Sequence, residues 1–433
     1  MSWAVLSDGA FPALSALRDL SLSQNPCDDA DAAAALARGL GHLSGLTALR
    51  LARCLPSTAA ATPVIHALTS LPHLQLLDLS GTSPPLAALA AALHRLPALR
   101  TLLLKHIQPG DGMRVDVLAE PLCSLSRLSS FALSVTALQP CDVSALLAPL
   151  CSCPLASLSL SNLARASVSV LAATLPAARS LTALRIDNAD LSADGTTAAI
   201  SAALATLPRL GQFSASLCHW QTSELAVHVS QLQTLQSISL DRNNISAAAA
   251  TALAGQLSHL TALTALSLAH CNLGAAGVAA LAPAIATLTS LRALRLAGNF
   301  SPDAAAPALA AALWPLTALD ELTLQYNIFS ADGMAQLTPP LATLTRLTIL
   351  HLAGNPIGCR GAEALATALP HLTLLKSLNL ADTGTGKAGA VKLASALTLL
   401  SSLSALSLSS QAGVATAIGA RLTALSSLES LML

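Results

Sequence analysis

One unit, Leu-x-x-Leu-x-Leu, recurs along the whole chain, starting at Leu17, Leu46, Leu74, Leu99, Leu128, Leu155, Leu181, Leu210, Leu235, Leu263, Leu291, Leu319, Leu347, Leu375, Leu403 and Leu428. The intervals vary from 25 to 29 residues up to Leu235, hold at 28 for six consecutive repeats and close with one of 25. A unit this short cannot bury its own apolar face, so it must stack on copies of itself, and the chain is read as a solenoid. Length alone would divide 433 residues into two or three domains; the unbroken repeat instead predicts one, residues 1–433. Residues 1–16 read as an N-terminal partial repeat or cap, and 428–433 as an uncapped final strand. A solenoid offers two long faces and no central pocket, which points to recognition rather than catalysis.

The repeat is plainest around His351. Leu350 and Leu352 alternate with outward residues, the period of a short strand with one buried face. Asn355 follows where the chain turns inward, and its amide can donate to and accept from backbone groups that stacking removes from water. Asn25, Asn243, Asn299 and Asn327 hold the same place, and Thr82, Thr136 and Thr383 substitute for it with fewer hydrogen bonds. Gly361 is expected to break the chain ahead of a helix over Ala362 to Leu369, with Leu365 and Leu369 on its inward stripe. Alanine keeps helix propensity high and lets the helix lie close to the sheet.

These residues, Leu347 to Leu372, and equally the run Leu263-x-x-Leu266-x-Leu268-x-x-Cys271-x-Leu273-Gly274-x-x-Gly277-x-x-x-Leu281, resemble the ribonuclease-inhibitor-like class of leucine-rich repeats. The likeness covers residues 14–433. It implies an α/β leucine-rich-repeat solenoid bent into a horseshoe, with parallel strands on the concave face and helices on the convex face. What the members of that class share is protein binding.

The concave face is built from residues two, four, six and seven places after each repeat start. Most are Ser, Ala or Thr, but polar residues gather at Arg50 and Arg53, at Lys105 and His106, and at Arg185, Asp187 and Asn188. A further set comprises Asp241, Arg242, His270, Arg295, Glu321, Gln325, Tyr326, His351 and Asp382. Tyr326 is the chain's one tyrosine, and an aromatic among mixed charges is the chemistry of an interface anchor. Arg185, Asp187, Asp241, Arg242, His270, Arg295, Glu321, Gln325, Tyr326 and His351 are therefore the expected partner-binding residues.

Formal net charge is zero and there is no Lys/Arg block, so nucleic acid is disfavoured as a partner. The start, Met1 to Phe11, lacks the pattern of a secretory signal, and the expected location is intracellular, most simply cytoplasmic, with a ciliary or mitochondrial complex left open. Nine cysteines are read as reduced, buried thiols; Cys54, Cys218 and Cys271 fall on core positions, and Cys151 and Cys153 lack the second pair a zinc site requires. Asn243 to Leu291 and Leu393 to Ala420 carry no charged residue. Gly274 to Leu291 is long enough to raise a membrane span, but its residues fit the repeat, and a covered outer face is expected in its place.

No catalytic group, metal or cofactor is expected. Gly384-Thr385-Gly386-Lys387 imitates a phosphate loop, but the required earlier glycine is Ala381 and Ala388 follows the lysine. Trp220 and the loop Gln108 to Arg114 read as irregular features, a filler or anchor and a projection. The expected function is a non-enzymatic scaffold, a structural or adaptor subunit of a larger intracellular assembly whose partners are other proteins, with no small-molecule substrate. The alternatives are a regulator of an enzyme or GTPase, resembling the Ran activators or the ribonuclease inhibitors, and the sensor part of a NOD-like receptor. An acidic tail, an acidic cysteine-rich composition and a nucleotide-binding domain are the respective features not seen in the sequence.

Overall fold

The computed structural model describes residues 9–27, 29–108, 114–150, 153–192, 195–218, 232–408 and 427–432, apart from the side chains of Thr136 and Ala137. Trp220, Cys151, Leu433 and most of the loop after Gln108 lie outside the described residues.

Two compact units make up the chain, Met1–Leu210 and Gly211–Leu433. The first holds strands β1 (Asp19–Ser21), β2 (Ala48–Arg50), β3 (Leu76–Asp78), β4 (Thr101–Leu104), β5 (Ser130–Leu138), β6 (Ser157–Leu163) and β7 (Ala183–Arg185). Its helices are α1 (Ala30–Gly41), α2 (Thr58–Ala67), α3 (Leu86–Leu93), α4 (Ala119–Ser124), α5 (Pro140–Leu150), α6 (Arg165–Thr174) and α7 (Thr196–Ala205). The second holds β8 (Gln212–Ser214), β9 (Ser237–Ser239), β10 (Ala265–Ser267), β11 (Ala293–Arg295), β12 (Glu321–Thr323), β13 (Ile349–His351), β14 (Ser377–Asn379), β15 (Ala405–Ser407) and β16 (Ser430–Met432). Its described helices are α8 (Ala247–Leu257), α9 (Gly274–Thr287), α10 (Ala306–Leu313), α11 (Ala331–Thr343), α12 (Gly358–Ala368) and α13 (Gly386–Leu397). Within each unit every strand pairs in parallel with the next in the chain. This is the expected α/β solenoid of leucine-rich repeats.

Register follows the 28-residue period: Leu266 lies opposite Leu294, Leu294 opposite Leu322 and Leu322 opposite Leu350. Equivalent residues therefore form columns. Leu347, Leu350, Leu352, Ile357, Leu365, Leu369 and Leu372 are all fully buried, as the repeat pattern requires. Burying a leucine contributes on the order of 1.5–3 kcal/mol, and here the covering surface comes from the repeats on either side.

In the second unit the turn after the strand is held by an asparagine column at Asn243, Asn299, Asn327 and Asn355. Asn299 donates through Nδ2 to the carbonyls of Leu296 (2.9 Å) and Leu268 (2.8 Å), one in its own repeat and one in the preceding repeat. Its Oδ1 accepts from the backbone N–H of Cys271 at 2.9 Å. Asn327 repeats the arrangement on Leu324, Leu296 and the N–H groups of Asn299 and Ser301, and Asn355 on Leu352, Leu324 and Phe329. Where the column changes residue, Cys271 donates from Sγ to Leu240 O at 3.2 Å, and Thr82 from its hydroxyl to Leu79 O.

The residue just before this column is left-handed in almost every repeat. Gln24, Arg53, Gly81, His106, Asn162 and Asn188 in the first unit, and Leu217, Arg242, His270, Gly298, Tyr326, Gly354 and Asp382 in the second, have φ between +53° and +69°. The cause is inter-repeat hydrogen bonding that continues past the strand: His270 N donates to Ala297 O, Gly298 N to Gln325 O and Tyr326 N to Ala353 O, at 2.7–2.8 Å. Val135 escapes the pattern because β5 runs on for nine residues and shifts register between Ser134 and Leu138.

Two expectations are corrected, on Gly361 and on the cysteines. Gly361 does not break the chain ahead of the helix: α12 starts at Gly358, whose φ is +62°, and Gly361 lies within it. A Cβ on Gly361 would stand 2.9 Å from Ile357 Cβ and 3.3 Å from Ala331 Cα, so this glycine lets α12 close onto α11. Gly389 does the same for α13, where a Cβ would meet Ala362 Cβ at 2.8 Å. Gly384 and Gly386 take up the left-handed turn into α13, which is all that the phosphate-loop imitation does structurally. The cysteines also depart in part from expectation: Cys27, Cys54, Cys153, Cys218 and Cys271 are buried, but Cys123, Cys141 and Cys359 are exposed. Burial pushes the Cys271 thiol up to about 12, leaving it protonated at neutral pH.

The charge-free stretch 243–291 supplies α8 and α9, and the residues that α9 exposes, Ala276, Ala279, Pro283 and Thr287, are small or short. At 14 residues α9 falls short of a bilayer's thickness, and no helix among the described residues is long and apolar enough to cross a membrane.

Replacing Asn299 by Ala strands the Leu268 and Leu296 carbonyls and the Cys271 N–H in the core. The expected loss is about 3 kcal/mol in urea unfolding, each orphaned group costing about 1–3 kcal/mol before relaxation. Asn25→Ala, at an exposed place in the same column, is expected to cost under about 1 kcal/mol; equal losses would remove the column's structural role.

Candidate functional site

In the second unit the strands β11, β12 and β13 bring Arg295, Glu321 and His351 onto one open face. Arg295 grips Glu321 with both arms of its guanidinium, Nε to Oε1 at 2.6 Å and Nη2 to Oε2 at 2.5 Å. The fork geometry fixes two side chains that would otherwise be mobile and cancels their charges locally. His351 stands beside them, its Nε2 3.1 Å from Ser377 Oγ on β14. Half-burial lowers the His351 pKa below the usual 6.5, and the Glu321 carboxylate opposes that shift. The face is therefore close to electrically neutral at its centre.

Asp241 is used inward. It accepts from Ser267 Oγ at 2.6 Å, Ala269 N at 2.8 Å and Ser239 Oγ at 3.1 Å, tying β9 to β10. Arg242, the next residue, is exposed, with no hydrogen-bond or ion-pair partner for its guanidinium among the described residues. Gln325 lies between Ala297 and Ala353 in the register, and its Oε1 is buried without a donor.

His270 and Tyr326 occupy the left-handed column, and each is followed by glycine one repeat on. A Cβ on Gly298 would fall 2.2 Å from His270 Nδ1, and one on Gly354 would fall 2.6 Å from Tyr326 Cδ1. The two rings thus lie over bare backbone, each leaning towards the repeats that follow. Tyr326 remains 58% exposed despite this. Arg53 and Gly81 form the same kind of pair in the first unit, with Arg53 Cγ 2.8 Å from the Cβ position.

Arg185 and Asp187 belong to the first unit and pair with each other, Nε to Oδ2 at 3.2 Å. The ten expected residues are thus divided between the units, with eight in the second. Of these eight, Arg295, Glu321 and His351 form a contiguous group and Arg242, His270 and Tyr326 share the left-handed column.

Two exposed residues escaped the sequence reading, which stopped at the seventh place after the repeat start. Two places further on lie Asn244, Asn272, Phe300, Ile328, Pro356 and Gly384 in successive repeats, all exposed. Phe300 is 64% exposed and Ile328 49%. Phe300 is also left-handed, with φ +52°, where Asn272 (+56°) and Gly384 (+65°) adopt the conformation at little cost. An aromatic residue in a column of turn formers was the signal available.

With this geometry in view, the comparisons bear on the repeat. Residues 259–282 and 343–366 match the leucine-rich-repeat family profile. No curated protein matches the chain. Among solved structures, it is similar to an internalin, InlF, from Listeria monocytogenes, at 17% identity over all of this chain and 93% of that one, with a TM-score of 0.36. The TLR13–ssRNA13 complex aligns at 19% identity over 97% of this chain and 71% of that one, TM-score 0.46. The PEPR1–AtPEP1 complex aligns at 17% over 97% of this chain and 62% of that one, TM-score 0.35. The fold is a leucine-rich-repeat solenoid.

Two outcomes are expected. Phe300→Asn should raise stability by about 1 kcal/mol, since it relieves a left-handed aromatic and gives up little burial; a loss in urea unfolding would mean that the ring supports the fold. For His351, the folded pKa lies below the unfolded one, so its contribution to stability is present above pH 6.5 and is lost as the pH falls from 6.5 through the folded value. Its imidazole resonances should titrate below pH 6.5 by NMR, and a midpoint above that value would contradict the burial argument.

Proposed function

We propose that the chain is a protein-binding scaffold, an adaptor subunit of an intracellular assembly, and that the open strand face of its second unit is the contact surface. The observation that carries this reading is the Arg295–Glu321–His351 group together with Tyr326, exposed in the same repeat as Glu321. Ordered, mutually neutralised charges cost less to desolvate than free ones, and the exposed aromatic of the same repeats offers a large anchor of the kind that dominates interface energetics. The buried thiols of Cys54, Cys218 and Cys271 suit a reducing compartment.

A native pull-down of the tagged chain, with cross-links mapped by mass spectrometry, tests the proposal. Stoichiometric protein partners are expected, with cross-links clustering in the second unit around residues 292–387. The double replacement Tyr326→Ala and Arg295→Ala should reduce their capture at least about tenfold while circular dichroism stays unchanged. Undiminished capture by that variant would place the contact elsewhere, and the absence of any protein partner would remove the reading itself.

A further inference from the structure

Resting on that binding reading, we infer that the rim of the second unit holds one extended polypeptide segment of the partner: about seven residues, apolar in the middle, acidic at one end and basic at the other.

The apolar centre is built from Phe300, Tyr326 and Ile328. They sit in two adjacent repeats, all three are exposed large apolar side chains, and Pro356 continues the strip into the next repeat. None is needed by the fold at its position, because Asn244, Asn272 and Gly384 fill the column of Phe300 and Ile328 elsewhere, and Arg242, Gly298 and Asp382 that of Tyr326. The left-handed backbone at Phe300 sharpens the point: a phenylalanine is held in a conformation that favours glycine or asparagine, and it is held out into solvent. Strain without burial at an exposed aromatic is the mark of a contact residue.

Charge identifies the occupant. The left-handed column runs Arg242, His270, Gly298, Tyr326, Gly354, Asp382. Between its ends no formal charge appears; on the strand face Arg295 and Glu321 cancel each other, and Asp241, the neighbour of Arg242, is turned away onto Ser239, Ser267 and the Ala269 N–H. Arg242 at one end and Asp382 at the other are both exposed, and neither side chain has a hydrogen-bond or ion-pair partner among the described residues. The strip is therefore cationic at one end, apolar in the middle and anionic at the other. Arg242 and Asp382 are five strand steps apart in the register, about 24 Å at roughly 4.8 Å per step. An extended chain advancing about 3.4 Å per residue covers this with about seven residues. Its acidic end would meet Arg242, its apolar side chains Phe300 and Ile328, and its basic end Asp382. Because equivalent positions recur at each strand, a segment lying along the column meets successive repeats in turn.

The test uses three fluorescein-labelled nine-residue peptides with the same Leu-Phe-Leu centre and Ser spacers: one with an Asp and a Lys at opposite ends, one with Asp at both ends and one with Lys at both. Fluorescence anisotropy with the full chain at low salt should rank the mixed peptide first, by roughly threefold over each of the others, the size expected of an exposed ion pair. Arg242→Glu should transfer the preference to the peptide with two lysines, and Asp382→Lys to the peptide with two aspartates. Phe300→Ser with Ile328→Ser should weaken all three by at least about tenfold. Equal binding of the three peptides, no binding of any, or a preference that charge reversal fails to redirect overturns the inference. The Phe300→Ser and Ile328→Ser variant also separates the two levels: if it still captures stoichiometric partners in the pull-down, the scaffold reading stands and the rim segment falls.

Discussion

Everything in the second unit depends on keeping the strand-to-helix turn hydrogen-bonded while it is buried. A solenoid repeat turns sharply within its own core, so several backbone N–H and C=O groups lose water without gaining a strand or helix partner. The asparagine column resolves this with a single side chain that donates to two carbonyls and accepts from the repeat before it. Because Asn243, Asn299, Asn327 and Asn355 each reach across a repeat boundary, the turns of the second unit cannot drift relative to one another, and its columns of leucine, left-handed residues and exposed rim inherit that alignment.

Much of this was legible in the sequence, for a specific reason. Leu350, Leu352, Leu365 and Leu369 are read correctly because a repeat multiplies the evidence for each buried position. Asn355 is legible because a buried amide has only backbone to satisfy. Gly361 was misread because glycine serves two physical ends, ending a helix and allowing two helices to touch, and only the packing distance separates them. The cysteines do not all follow one rule: Cys271 sits in a core column, whereas Cys359 lies exposed on α12, its Sγ donating to Thr385 O at 2.9 Å.

The contact surface was legible in type but not in extent. Residue alternation placed Arg295, Glu321 and His351 outward, yet the Arg295–Glu321 fork is a diagonal contact across 26 residues that appears only once the register is known. Asp241 looked like an outward charge and is committed to hydroxyls and an amide of its own sheet. Phe300 and Ile328 were passed over because strand periodicity says nothing about the turn beyond it. Their column becomes readable when the repeats are aligned through the turn, where apolar bulk interrupts a series of Asn and Gly.

The register also makes the rim a ruler graduated in strands. Gain or loss of one whole 28-residue repeat between Arg242 and Asp382 would leave every column intact and change the separation of its two charged ends by one graduation, about 4.8 Å. A single-residue insertion between the strand and the turn has no such neutral option, since it would throw the asparagine and the left-handed residue out of line with the leucines. Chains built this way can change the length of what they recognise in fixed increments while the chemistry at either end stays the same.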